Sequence, residues 1–136
     1  MTGLFIRQLN DDMIKTELNK SNIHRIGIFA TKKISKDEII EVCPILILNK
    51  NDTGIINKTS LYDYYFSWKN NRSAIALGRG SLYNHSYNPN AVYKKNLRNN
   101  IITFIALRLI KKGEEITVNY NGDPRSQKKV WFEKQH

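Results

Sequence analysis

Seven consecutive residues, Asn84-His85-Ser86-Tyr87-Asn88-Pro89-Asn90, constrain the fold of this chain more than any other stretch. Asn, Ser and Pro favour turns and local side-chain bonds over a regular helix or strand. Placed inside an otherwise apolar region, such a run predicts a tight, heavily hydrogen-bonded crossing of the chain. Further along, Glu115-Ile116-Thr117-Val118-Asn119-Tyr120 reads as a short β-like stretch ending in a tyrosine.

The rest of the pattern is β. Short β-branched or aromatic runs alternate with turn signals: Ile26 to Ala30 before Thr31-Lys32-Lys33, Ala74 to Leu77 before Gly78-Arg79-Gly80, and Ile116 to Tyr120 before Asn121-Gly122. Ala91 to Leu97 and Ile101 to Leu107 flank Arg98-Asn99-Asn100, which predicts a hairpin. Glu38 to Leu48 is a longer extended run, and Pro44 within it suggests an edge strand or a bend. Helix is scarce. Asp11 to Asn19 suits a short one, while Ser60 to Trp68 fits helix or strand, with Ser60 as an N-cap in the helical case. No repeat or composition break divides the 136 residues, so one mostly-β domain over 1–136 is expected.

Composition narrows the setting. No apolar run approaches the roughly 20 residues needed to span a bilayer, and Met1 to Asn10 lacks the character of a secretory signal. The single Cys43 excludes an internal disulfide framework and a multi-cysteine metal site, and no metal ligand set is expected. It lies in an apolar run and reads as a buried small hydrophobe rather than a nucleophile. An intracellular location follows as the expectation, cytoplasmic or associated with the nucleus or nucleoid. The formal net charge of +10 favours polyanionic partners, nucleic acid among them, although pairs such as Lys32-Lys33, Lys94-Lys95, Lys111-Lys112 and Lys128-Lys129 are scattered along the sequence.

The two opening motifs, in this order and at this spacing, resemble those of the SET-domain family, protein-lysine methyltransferases that use S-adenosylmethionine. The resemblance covers about Asn22 to Phe132 and looks most like small microbial and viral members. It implies a β-clip fold of short strands in small sheets with a pseudoknot-like crossing, a core over about 22–120, and a C-terminal segment, 121–136, that closes over the cofactor. By the same resemblance, Gly27, Ile28 and Phe29 form the first cofactor-binding loop, with Arg25 standing where the family usually has a further glycine. Asn84 and His85 match the family's Asn-His cofactor pair, Tyr120 its catalytic tyrosine that also borders the cofactor, and Trp131 the aromatic packed on the adenine. Tyr93 matches a second tyrosine at the reacting centre, and Tyr83, Tyr93 and Val118 are placed along the lysine channel. A tyrosine at 93 beside a small residue at 118 resembles enzymes that stop after one or two methyl groups.

The aromatic cluster Tyr62, Tyr64, Tyr65, Phe66 and Trp68 lacks the interleaved basic residues of a single-strand binding face, so it reads as core and channel wall. Asp63, Glu114, Glu115 and Asp123 are candidates for an acidic groove that accepts a basic protein. The function implied is methyl transfer from S-adenosylmethionine to a lysine of a protein substrate, such as a histone or another basic nucleic-acid-associated protein. The alternative is a SET-like module, weak or inactive in turnover, that binds basic proteins or nucleic acid. Both a monomer and a homodimer fit the sequence.

Overall fold

The computed structural model describes residues 14–130. Among these residues nine strands form two sheets. β1 (Thr16–Lys20), β2 (Ile26–Ala30), β9 (Glu115–Val118) and β6 (Asn84–His85) make the first, in the order β1-β2-β9-β6. The second runs β4-β5-β3-β8-β7, from β4 (Tyr65–Trp68), β5 (Arg72–Ala76), β3 (Ile39–Leu48), β8 (Ile101–Ala106) and β7 (Ala91–Asn96). One α-helix among the described residues, α1 (Lys50–Ile56), follows β3.

Strict alternation builds the second sheet. In β8, Ile102, Phe104 and Ala106 are fully buried while the residues between them are half-buried, the period of two that a one-sided strand requires. Cys43 on β3 pairs with Ile102, and Tyr93 on β7 pairs with Phe104. A register shift between Ile39 and Glu41 places Glu41 opposite Phe104, so a carboxylate stands in line with the core. The sheet curls until its two edge strands meet. Phe66 of β4 packs edge-on against Tyr93 of β7 at 5.0 Å, and the Lys95 ammonium donates to the Ser67 carbonyl at 2.7 Å.

Several expectations hold here and others are corrected. The hairpin around Arg98-Asn99-Asn100 is present as β7–β8, and Asn100 takes the left-handed backbone (φ 54°) that Asn tolerates. The long run is a central strand, not an edge. Pro44 is tolerated because β3 changes partners there, pairing with β8 through residue 44 and with β5 from residue 45. Within the proposed helix Asp11–Asn19, the described part is coil and then β1, because antiparallel pairing from Thr16↔Ala30 to Lys20↔Ile26 outweighs local preference; residues 11–13 lie outside the described range. Ser60–Trp68 divides into a 3-10 turn (Ser60–Asp63) and β4, and the N-cap is Thr59 rather than Ser60, its side chain accepting from the Leu61 N–H. Helix α1 buries none of its residues, so no apolar stripe announces it; its signal is Asn49, which caps the Asp52 N–H at 2.8 Å.

Residues 84–90 are the hydrogen-bonded crossing that their composition demands. β6 lies parallel to β9, with Asn84 opposite Thr117 and His85 opposite Val118. Asn90 then brackets β9, its amide donating to the Glu115 carbonyl at 2.8 Å and its Oδ1 accepting from the Thr117 N–H at 2.9 Å. Asn84 and Asn90 are both buried, and the side-chain amide N–H groups of each donate to protein acceptors.

Candidate active site

Tyr120 lies two residues beyond the end of β9 and is held from two sides. Its N–H donates to Nδ1 of His85 at 3.0 Å, and its phenol donates to the Tyr83 carbonyl at 2.7 Å. The first bond fixes the His85 tautomer: Nδ1 accepts, so the proton of the neutral ring sits on Nε2. The second directs the phenol hydrogen to the backbone and leaves the oxygen's lone pairs as acceptors. Burial, reinforced by Tyr64, Asp63 and Tyr93, pushes the Tyr120 pKa well above the ordinary phenol value, so the group is neutral at physiological pH.

Two cavities meet at this residue. The smaller, of about 280 Å³, opens between the edge strands β4 and β7 and has a largely aromatic wall of Tyr62, Tyr64, Tyr65, Phe66, Tyr93 and Tyr120, with Lys95 also lining it. The larger, of about 730 Å³, lies between the turn at residues 23–26 and the segment 84–87, within the size range of small-molecule sites. Asp63, Tyr64, Ser81 and Tyr120 line both.

The sequence-predicted residues divide between these walls and the layer behind them. Asn84, His85 and Tyr120 line the larger cavity. Tyr93 lines the smaller one; its phenol donates to the Tyr120 carbonyl at 3.1 Å, and burial raises its pKa to about 12. Tyr83 borders the smaller cavity too, yet it is only 2% exposed. Its ring stacks on Phe104 with centroids 4.3 Å apart, and its phenol donates to Glu41 Oε1 at 2.5 Å. Its role toward Tyr120 runs through its backbone carbonyl. Val118 is buried in the core and is not among the lining residues. Gly27, Ile28 and Phe29 lie in β2 beneath the larger cavity, whose wall is formed instead by the preceding Ile23, His24, Arg25 and Ile26. Trp131 lies outside the described residues.

A buried polar network supports that wall. Asn84 Nδ2 shares its two hydrogens among Glu115 Oε1 at 2.8 Å, Ser21 Oγ at 3.1 Å, and the His24 and Ile26 carbonyls at 3.1 and 3.2 Å. Ser21 Oγ bonds the Glu115 carboxylate at 2.8 Å. Gly27 is required beneath it, since a Cβ would overlap Glu115 Oε1 and stand 3.1 Å from Asn84 Nδ2. Arg25 adopts φ 42°, the left-handed region that glycine enters most readily, so the loop keeps a glycine-like path although an arginine occupies it.

Of the four acids considered for a groove, only Asp63 lines a cavity. Glu115 belongs to the Asn84 network, Glu114 pairs with Arg108 at 3.1 Å, and Asp123 with Arg125 at 3.5 Å. Cys43 is buried as expected, and burial beside Glu41 raises its thiol pKa to about 12, which excludes a thiolate nucleophile near neutral pH. Sequence reading missed Ser21, Glu41 and Lys95, because their partners lie 94, 42 and 28 residues away and no local pattern signals them.

The donor set fits S-adenosylmethionine. No described donor reaches Asn84 Oδ1, which leaves an acceptor at the cavity wall for a ligand ammonium. Arg25 provides a cation for a carboxylate, and Ile23, Ile26, Leu82 and Tyr87 provide apolar surface for a ring.

Comparison with known proteins agrees with this arrangement. The SET-domain family model matches residues 25–121. A Schizosaccharomyces pombe histone-lysine N-methyltransferase, H3 lysine-37 specific, is 37% identical over 108 residues, covering 79% of this chain and 69% of that protein. The solved structure of a candidate histone methyltransferase from Plasmodium falciparum superposes with a TM-score of 0.65 at 30% identity, covering 88% of this chain and 97% of the other. A chain of ctPRC2, solved in complex with H3K27me3 and H3K27M, shares the fold with a TM-score of 0.68 at 22% identity, over 81% of this chain and 15% of that one.

Proposed function

Since this chain belongs to the SET-domain family of protein-lysine N-methyltransferases, we propose that its larger cavity binds S-adenosylmethionine, that its smaller cavity admits the substrate lysine, and that transfer occurs where both reach Tyr120. The observation that carries this reading is the pair of cavities sharing Tyr120, Tyr64, Ser81 and Asp63. Family members use S-adenosylmethionine, which supplies an electrophilic methyl group on a sulfonium when bound.

The chain's own residues have two tasks. The first is to present a neutral amine. A free lysine has a pKa near 10.4, so losing its proton at pH 7 costs about 4.6 kcal/mol. The aromatic wall of the smaller cavity disfavours the charged form by desolvation, the same effect that raises the phenols of Tyr93 and Tyr120. The second is alignment. Tyr120, fixed by His85 and the Tyr83 carbonyl, offers its phenol oxygen as an acceptor for the amine N–H, and correct placement of two reactants contributes about 7–11 kcal/mol. A neutral phenol with so high a pKa positions the amine and is not its base.

Asn84 and His85 would hold the cofactor from β6, with Arg25 as the cation for its carboxylate and Trp131 as the aromatic partner for its ring. The proposed substrate is a lysine of a histone or another basic nucleic-acid-associated protein, in keeping with the specificity named for the fission-yeast relative. Incubation with S-adenosylmethionine and histone H3, followed by mass spectrometry, tests this: a gain of methyl groups on a lysine, absent with Tyr120→Phe, supports it. Cofactor binding without transfer to a core histone or to another basic nucleic-acid-associated protein contradicts the substrate assignment.

A further inference from the structure

The lysine pairs that the sequence scatters are in part reassembled by the fold. Ile34 and Ile110 exchange both backbone hydrogen bonds, at 2.9 and 2.8 Å, and both are fully buried. That antiparallel bridge sets Lys33 opposite Lys111 and Lys32 opposite Lys112. With the two isoleucines in the core, Lys33 and Lys111 fall on the outer side, and both are exposed. Lys36 and Arg108 extend the same two loops and are also exposed.

The nearby carboxylates neutralise this cluster only in part, Glu38 lying within the field of Lys32. Glu38 pairs with Lys15 at 2.6 Å and Glu114 with Arg108 at 3.1 Å. Asp37, exposed on the same loop, forms no ion pair within 4 Å among the described residues, and neither do Lys33, Lys36, Lys111 and Lys112. Like charges placed directly opposite across a ladder repel. A polyanion against the two loops would relieve this repulsion between Lys33 and Lys111.

We propose that this two-loop knuckle is a docking site for the phosphate backbone of duplex DNA. A duplex carries one negative charge per about 1.7 Å of its axis, so a compact, backbone-fixed group of lysines meets several phosphates together. No aromatic side chain stands among these lysines, which disfavours a single strand, where base stacking supplies much of the affinity. Position matters as well. The knuckle precedes β9 and Tyr120 follows it, and the nine residue steps from Lys111 to Tyr120 span at most about 31 Å. None of these lysines lines either cavity, so a target lysine at Tyr120 and DNA on the knuckle would engage different surfaces of one chain. This last point rests on the methyltransferase reading of the cavities; the docking itself does not.

The test is fluorescence anisotropy of a labelled 20-base-pair duplex, measured across salt concentrations. Lys33→Glu/Lys111→Glu is compared with the control Lys58→Glu/Lys94→Glu, which removes the same charge from exposed positions outside the two loops. The expected result is at least a tenfold loss of affinity in the knuckle variant, with the log–log salt slope reduced by about 2, and less than threefold in the control. Methylation of a free H3 peptide, followed in parallel, stays at the wild-type rate in both variants, which separates a failure of docking from a failure of catalysis. Equal losses in the two variants would show diffuse charge rather than a site. Absence of duplex binding, or tighter binding to polyglutamate than to the duplex, would also overturn the proposal, the latter in favour of an acidic protein. Should charge reversal lower the melting temperature, Lys33→Gln/Lys111→Gln replaces it.

Discussion

The phenol of Tyr120 is tied to the backbone of Tyr83, donating at 2.7 Å to its carbonyl, while the Tyr83 phenol is tied in turn to Glu41 at 2.5 Å. The geometry at the cavity junction is thereby fixed from within the core of the second sheet.

Tyr120→Phe removes one hydrogen bond and the acceptor for the amine while leaving the ring in place. Transfer should fall by at least about 100-fold, equivalent to roughly 2.7 kcal/mol. S-adenosylmethionine affinity should stay within threefold, and stability should drop by only about 1 kcal/mol. Steady-state kinetics with calorimetric binding and thermal melts distinguish these effects.

Glu41 acts on Tyr120 only through Tyr83. Glu41→Gln keeps an acceptor for the Tyr83 phenol and should retain most activity. Glu41→Leu leaves that buried phenol without its partner, at a cost of about 1–3 kcal/mol. In Glu41→Leu, kcat should fall several-fold with the cofactor Kd unchanged, measured on protein normalised for folded fraction.

Gly27→Ala would drive a methyl group into Glu115 beneath the Asn84 network. Either Glu115 gives up its bonds to Ser21 and Asn84, or β2 shifts away from β9. Calorimetry should show cofactor affinity at least tenfold weaker, with a stability loss of about 1–3 kcal/mol.

Burial raises the pKa of Tyr93 to about 12 and holds Tyr83 and Tyr120 well above the ordinary phenol value. Their unfolded pKa is near 10. Between these limits the folded chain retains protons that the unfolded chain loses. The stability they contribute is complete below about pH 10 and falls as pH rises through the folded values. Chemical denaturation at successive pH values should therefore show stability declining above about pH 10. A spectrophotometric titration at 295 nm should leave these phenols un-ionised at about pH 11 until the chain unfolds.

Much of this was legible in the sequence because it rests on local chemistry. The turn-forming composition of residues 84–90 announces the crossing, and alternation announces β8 and its hairpin partner. Pro44 misleads because a change of strand partner, not an edge, accommodates it. Thr16–Lys20 becomes a strand through pairing with β2, a tertiary effect that no local window contains. Within the site, Asn84, His85, Tyr93 and Tyr120 are readable as a motif, whereas Glu41 beneath Tyr83 and Glu115 beneath Gly27 depend on register between distant strands. Val118 shows the converse: its sequence position fits a channel, but it is buried in the core and lines neither cavity, whereas Tyr83 does line the smaller cavity with its ring stacked on Phe104.

The central claim is that the cavity beside Asn84 and Tyr120 is the cofactor site, and calorimetric titration with S-adenosylmethionine tests it most directly. One-to-one saturable binding is expected, weakened at least tenfold in a folded Asn84→Ala variant and unchanged in Lys95→Ala, whose side chain lines only the smaller cavity. Absence of binding, or binding indifferent to Asn84→Ala and lost in Lys95→Ala, would contradict it.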